Sequence, residues 1–311
     1  MEQVAFLFPG QGSQAVGMLE ELSRQSSLVK QTYDEASQLL GVDLWQLVQQ
    51  GPKERLDQTE ITQPAMLAAD VACWRVWKDQ GGFDPQFMAG HSLGEYAALV
   101  AAGKLDYSDA VRLVGQRARL MQQAVPAGCG AMAAILGLED DALQEACAAS
   151  AQGQIVSCAN FNSPGQTVIA GHREAVERAC VAAREAGAKR ALPLPVSVPS
   201  HCDLMRPAAG QLAQALFETA VTNGAIVVLH NADVANHTDA QAIRQALVEQ
   251  LWKPVRWSET ITELLSRGVS RFVECGPGGV LTGLNRRNAR DAQTAAITEL
   301  DTMQKIIQEW R

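Results

Sequence analysis

The chain has 311 residues, 47% of them hydrophobic, enough for a full core in one large domain or two moderate ones. Charged residues make up 19%, with 25 glycines and 12 prolines, which excludes a disordered or low-complexity chain. A net charge of −8 and a pI of about 5.2 argue against a nucleic-acid binder, which needs a basic footprint.

No apolar stretch reaches the ~20 residues of a membrane span. The seven cysteines are scattered, odd in number and without a C-x-x-C pair. That pattern predicts a reduced, cytoplasmic protein with neither a disulfide framework nor a zinc site. Met1-Glu2-Gln3 has no basic n-region and the apolar run that follows is short, so no signal peptide is expected.

Residues 4–8 read as a strand that ends at Pro9-Gly10-Gln11-Gly12. Gly10, Gly12 and Ala15 fit G-x-G-x-x-A, but residues 28–50 read as helix. A dinucleotide site needs a second strand there, closed by an acid. There is no P-loop motif either. The turn reads better as flexible backbone beside a nucleophile, offering an oxyanion donor, or as a purely structural turn.

Residues 86–89 form a second strand, ending at Gly90-His91-Ser92-Leu93-Gly94. This is G-x-S-x-G, which sets a serine on a sharp strand-to-helix turn. A helix over 95–102 follows, so Leu93 would offer its N–H to an oxyanion at the helix start.

Residues 107–125 predict an amphipathic helix. Val111, Leu113, Val114, Ala118, Leu120, Met121 and Val125 form its apolar arc, with Arg112 and Arg119 opposite. Arg117 falls inside that arc. A buried guanidinium is costly unless paired, so it meets either an internal acid or a ligand anion. An acyl group with a free carboxylate would suit its planar fork.

Strands over 131–136, 154–159, 167–170 and 191–196, with helices over 140–151 and 173–186, give β-α-β-β-α-β. This is the split ferredoxin-like order. A small domain of residues 127–197 is therefore expected, inserted into a large one built from 1–126 and 198–311. Residues 270–274 form another strand, ending at Gly276-Pro277-Gly278-Gly279. Strand, tight turn and helix repeat in the large part, as in an α/β protein with a mostly parallel sheet. The three glycine turns should converge at the carboxyl ends of its strands.

Ser92 needs a base. His91 adjoins it on the turn and should point elsewhere. His172 closes a strand of the small domain, and His230 and His237 lie in an Asn-rich loop. His201 stands at the return to the large domain; it is either the base or a surface loop histidine. No acid between Ser92 and His201 sits at a strand end, unlike the order in α/β-hydrolases. An amide or a backbone carbonyl is then a plausible orienter of the base, and a standard hydrolase is disfavoured.

Five motifs occur in order: Gly10-Gln11-Gly12-Ser13-Gln14, Thr62-Gln63-Pro64-Ala65, Gly90-His91-Ser92-Leu93-Gly94-Glu95-Tyr96, Asn160-Phe161-Asn162-Ser163-Pro164-Gly165-Gln166 and Pro199-Ser200-His201. With them the chain resembles the bacterial malonyl-CoA:acyl carrier protein transacylases from Phe6 to about Arg287. The resemblance implies a large α/β-hydrolase-like domain with an inserted ferredoxin-like one. It implies Ser92 as nucleophile, His201 as base and Gln250 as the residue orienting that base. Gln11 and Leu93 would supply the oxyanion-hole N–H groups. Arg117 would clasp the malonyl carboxylate, with Gln63, His91, Asn160 and Asn162 around the substrate.

The implied reaction passes malonate from coenzyme A to a carrier-protein thiol through a malonyl-serine. No metal or cofactor is expected, malonyl-CoA being a substrate. The partner carrier protein is acidic, so Lys189, Arg190, Arg286, Arg287 and Arg290 are docking candidates. A monomer is expected. The length of the chain, without fused carrier or ketosynthase segments, favours the dissociated fatty-acid pathway. The rivals are a loader for a polyketide or malonate-decarboxylase carrier, a thioesterase or esterase, and a non-catalytic carrier-binding homologue.

Overall fold

The computed structural model describes residues 2–196 and 198–310. Five strands, β1 (Gln3–Phe8), β2 (Phe87–Gly90), β7 (Val227–Leu229), β8 (Val269–Glu274) and β9 (Gln293–Ala296), form a sheet in the order β7-β2-β1-β8-β9. Every pairing in it is parallel. The central strand, β1, is apolar and buried from Val4 to Phe8 because both of its faces are covered. Phe6 and Phe8 enter the core that holds the helix Thr59–Asp79. Ala5 and Leu7 face the opposite side, in the cluster of Trp257, Ile261 and Phe272.

The remaining strands are β3 (Gly130–Leu136), β4 (Val156–Ser163), β5 (Gln166–His172) and β6 (Arg190–Pro193). They form an antiparallel sheet in the order β4-β5-β3-β6. With the helices Asp140–Ala151 and Arg173–Glu185, this is the ferredoxin-like arrangement. The expected 127–197 segment encloses these elements, but Ser197, like Met1 and Arg311 at the ends of the large part, lies outside the described residues. Alternation gives this sheet two apolar faces. Ala133, Ile135 and Ile169 pack under the two helices. Met132, Val168 and Ala170 face the other way, toward Cys202 and Leu194. That second face roofs the cleft described below.

Two strand ends differ from those read in the sequence by three residues or more. β4 continues to Ser163 rather than stopping at residue 159. Its extension stays paired with β5 and also bonds outside the small sheet: Phe161 N–H donates to Val255 O (2.9 Å) and Val255 N–H to Ala159 O (2.8 Å). β6 stops at Pro193; Leu194 N–H still reaches Met132 O (2.9 Å), and Pro195 then has no N–H to carry the ladder further. Among the described residues, no helix is long and apolar enough to cross a membrane.

The glycine turns after β1, β2 and β8 do converge. A Cβ on Gly10 would lie 2.4 Å from His91 O, and one on Gly278 would lie 2.9 Å from Ser13 Cβ. At the start of the helix Gly94–Ala101 the crossing is closer still: a Cβ on Gly94 would lie 2.1 Å from Phe8 O. Gly94→Ala should therefore strain the end of β1 like an overpacked core, lowering the thermal midpoint by about 2–6 °C. Differential scanning calorimetry checks this; an unchanged midpoint would show slack at the crossing.

Candidate active site

Ser92 sits at φ 52°, in the left-handed region. Strain of this kind concentrates where a fold over-determines a functional side chain. Asn231 spans the turn: Ser92 N–H donates to Asn231 Oδ1 (2.7 Å), and Asn231 Nδ2 donates to Gly90 O (2.7 Å). The Ser92 hydroxyl is 2.8 Å from His201 Nε2. On the other side of the ring, His201 Nδ1 donates to the main-chain carbonyl of Gln250 (2.7 Å). This bond fixes the tautomer and leaves Nε2 free to accept the serine proton. His201 also has positive φ (61°), and its own N–H donates to Leu251 O (3.0 Å).

His201 is buried, at 3% exposure. Burial, followed by repulsion from the nearby Arg117 guanidinium, pushes its pKa down to about 3. The ring is therefore neutral near pH 7, as a base must be before it takes a proton.

Arg117 projects from the helix Tyr107–Ala124 and is 1% exposed. Its Nη1 donates to Gln63 Oε1 (2.7 Å) and its Nη2 to Gln250 Oε1 (3.0 Å) and Ser92 Oγ (3.2 Å). The guanidinium carbon lies 5.7 Å from the centre of the Tyr96 ring. Nε has no partner. Among the described residues no carboxylate bonds Arg117; every acceptor is neutral. Of the two partners that periodicity allowed, the internal acid is thus absent from contact.

The main-chain N–H groups of Gln11 and Leu93 have no acceptor among the described residues, and both residues line one cavity with Ser92, His201 and Arg117. This cavity, of about 210 Å³, has an apolar side made by Met132, Val168 and Leu281. Gln63, Asn160 and Asn162 line it too. Asn160 is held by its β-bridge to Val255. His91 lines the cavity but turns from the serine: its Nε2 donates to Asn162 Oδ1 (2.8 Å), and its ring packs on Trp257. Burial lowers its pKa.

The other histidines lie apart from Ser92. His172 Nδ1 accepts from Ile155 N–H, and His237 meets Asp233. His230 meets Glu95, which is wholly buried. The docking candidates Lys189, Arg190, Arg286, Arg287 and Arg290 are all exposed. Arg287 reaches the cavity rim, donating to Gln166 Oε1 (2.7 Å), and Arg190 is joined to the same edge through Leu136, the β-partner of both Gln166 and Arg190. Among the described residues no hydrogen bond or ion pair ties Arg286 to the rim.

Sequence reasoning missed Asn231, Glu95 and His230. Glu95 carried a legible signal, a lone acid within the apolar run from Gly94 to Ala101. Asn231 carried none, being 139 residues from the serine it anchors.

An acyl transferase domain model matches residues 5–308. A malonyl CoA-acyl carrier protein transacylase of Salmonella typhimurium is 56% identical over 299 residues, covering 96% of this chain and 97% of that protein. The crystal structure of an acyl carrier protein S-malonyltransferase from Vibrio cholerae superposes with a TM-score of 0.95 at 56% identity, covering 98% of this chain and 99% of the other. A malonyl-transacylase solved in complex with a type II PKS acyl-carrier protein gives 0.97 at 54% identity, with the same coverage. The chain belongs to the acyl transferase domain family, among the malonyl CoA-acyl carrier protein transacylases.

Proposed function

We propose that the protein moves a malonyl group from malonyl-CoA to the phosphopantetheine thiol of an acyl carrier protein, for fatty acid biosynthesis. One observation carries the reading: a buried arginine whose partners are all neutral shares the nucleophile's hydroxyl with the base. Such a cation suits an acyl group that brings its own carboxylate.

In this reading His201 Nε2 removes the Ser92 proton as Oγ attacks the thioester carbonyl. The N–H groups of Gln11 and Leu93 hold the oxyanion; loss of one such donor typically costs ~3 kcal/mol. The C–S bond then breaks, the leaving thiolate takes the proton from His201, and a malonyl-serine ester remains. The carrier thiol enters by the reverse path, which gives ping-pong kinetics. Each step uses protein groups and substrate alone, so no cofactor is assigned. Asn160, Asn162 and His91 form the cleft wall, and Gln63 steadies Arg117.

Arg287, which reaches the cavity rim, suits an acidic carrier, with Lys189, Arg190, Arg286 and Arg290 as further exposed cations. The similarity to a transacylase bound to a PKS carrier supports a second reading, in which the carrier served belongs to a polyketide pathway. We assign the smaller domain to 127–197 and propose a cytoplasmic monomer. Seven free cysteines support a reducing setting, and exposed apolar side chains such as Phe217 and Val181 come from separate elements.

Intact-mass measurement after mixing with malonyl-CoA should show one malonyl group, and peptide mapping should place it on Ser92. No adduct at neutral pH would overturn the enzyme reading. Arg117→Ala should lower kcat/KM for malonyl-CoA about 100-fold or more, the loss of charge-assisted hydrogen bonds in a dry site. Acetyl transfer should be spared or improved; equal loss of both would refute the carboxylate role.

The depressed pKa of His201 gives a pH prediction. As pH falls through 6.5, a histidine in the unfolded chain gains a proton while His201 stays neutral in the fold. Stability should therefore fall between pH 6.5 and about 3, while acylation per folded molecule persists to below about pH 4. Single-turnover acylation with acetyl-CoA checks this; an acid limb near pH 6.5 would contradict it.

A further inference from the structure

Glu95 is a wholly buried carboxylate one helical turn beyond the nucleophile. It touches neither the cavity nor Arg117, yet three donors converge on it. Oε2 accepts from Asn231 N–H (3.0 Å) and Gln250 Nε2 (2.9 Å), and Oε1 meets His230 Nδ1 (2.7 Å). Asn231 anchors the Ser92 amide. Gln250 is the hub of the site. Its main-chain oxygen holds His201, its Nε2 also donates to Ser92 O (2.8 Å), and its Oε1 accepts from Arg117.

We propose that Glu95 is a positioning residue for malonyl recognition, one that fixes the Gln250 amide so that its oxygen faces Arg117. This rests on the assignment of Arg117 to the malonyl carboxylate. The donors and acceptors of the amide decide its orientation. With Nε2 turned to Glu95 and to Ser92 O, Gln250 can present only an acceptor to the guanidinium. Turned over, the amide would set NH₂ against Nη2 and oxygen against both the Glu95 carboxylate and Ser92 O, three contacts of the wrong sign.

The arrangement also keeps the acid one amide away from the arginine. A carboxylate bonded directly to Arg117 would occupy the fork that the substrate needs. Glu95 instead holds a neutral group in that place. The loop that supplies His230 and Asn231 is itself forced: Val234, a β-branched residue, adopts φ 59° there. Among the described residues, three of the five non-glycine residues with positive φ, namely Ser92, His201 and Val234, therefore adjoin this one network.

The test compares two substitutions at position 95, reading the ratio of kcat/KM for malonyl-CoA to that for acetyl-CoA. Glu95→Asp keeps the charge but withdraws the carboxylate by one methylene. Glu95→Gln removes the charge but keeps an acceptor for Asn231 N–H and Gln250 Nε2, with its NH₂ donating to His230 Nδ1 in the other tautomer. Glu95→Asp should lower the ratio roughly 10–100-fold, the scale of a ~1 Å misplacement in a supporting group. Glu95→Gln should stay within about threefold of the parent, and in an Arg117→Ala background Glu95→Asp should leave the ratio unchanged within about the same margin.

If Glu95→Asp does not fold, Gln250→Met serves in its place. It keeps the main-chain carbonyl for His201, deletes the amide, and should lower the ratio to the same degree. The proposal is overturned if Glu95→Gln lowers the ratio more than Glu95→Asp, as a counter-ion role requires. It is also overturned if the ratio is unmoved by Glu95→Asp or its substitute, or if it falls equally without Arg117. Arg117→Ala alone separates the two levels: an unchanged ratio there overturns the carboxylate reading itself, whereas a collapsed ratio beside inert Glu95 variants overturns only this inference.

Discussion

A guanidinium buried beside the nucleophile without a carboxylate against it is the constraint on which the site depends. Removing a charge from water costs several kcal/mol even after relaxation. Arg117 offsets this with two amide oxygens, the serine hydroxyl and the face of Tyr96. All of these are neutral, so the positive charge remains available. The partners come from separate helices: Gln63 from Thr59–Asp79, Tyr96 from Gly94–Ala101 and Gln250 from the end of Ala240–Gln250. The packing of three helices around a fourth thus fixes the direction in which the cation points.

The reacting pair is held in strained backbone. Left-handed φ at a non-glycine residue costs on the order of 1–3 kcal/mol, and both Ser92 and His201 bear it. Local hydrogen bonds offset the cost. Asn231 binds the serine turn on both sides, and the end of the Ala240–Gln250 helix holds His201 by its ring and its own N–H. The glycines at 90 and 94 let the turn close, because neither site has room for a Cβ. Strain and close packing together leave the hydroxyl a single direction.

The parts of this legible in the sequence were those with a local signature. The serine turn is a pentapeptide, the small domain is a run of alternating elements, and Arg117 interrupts a helical stripe. These signals survive in one dimension because periodicity and turn chemistry act over a few residues. Other features had no such signature. β7 and β9 are three and four residues long, too short to show a period. The orienting group is a main-chain carbonyl, which any residue carries, so only the family resemblance brought attention to Gln250. Asn231 meets Ser92 through the fold alone. Glu95 does carry a local signature of the same kind as Arg117, since it too is a charge in an apolar helix.

The proximity of Arg117 to His201 also bears on how selectivity and basicity are related. The guanidinium helps to hold the histidine pKa far below its usual range. A neutral base is secured in this way, but a weak one, since proton-transfer efficiency rises as the pKa approaches the working pH. A carboxylate placed on Arg117 opposes that repulsion. By Coulomb's law the change favours protonation of His201, and it acts most strongly in a site from which water is excluded. The acyl group that fits the arginine therefore strengthens the base that activates its own nucleophile, whereas a neutral acyl group does not. Under the proposed assignment, one buried charge discriminates twice, once in binding and once in the proton transfer that follows.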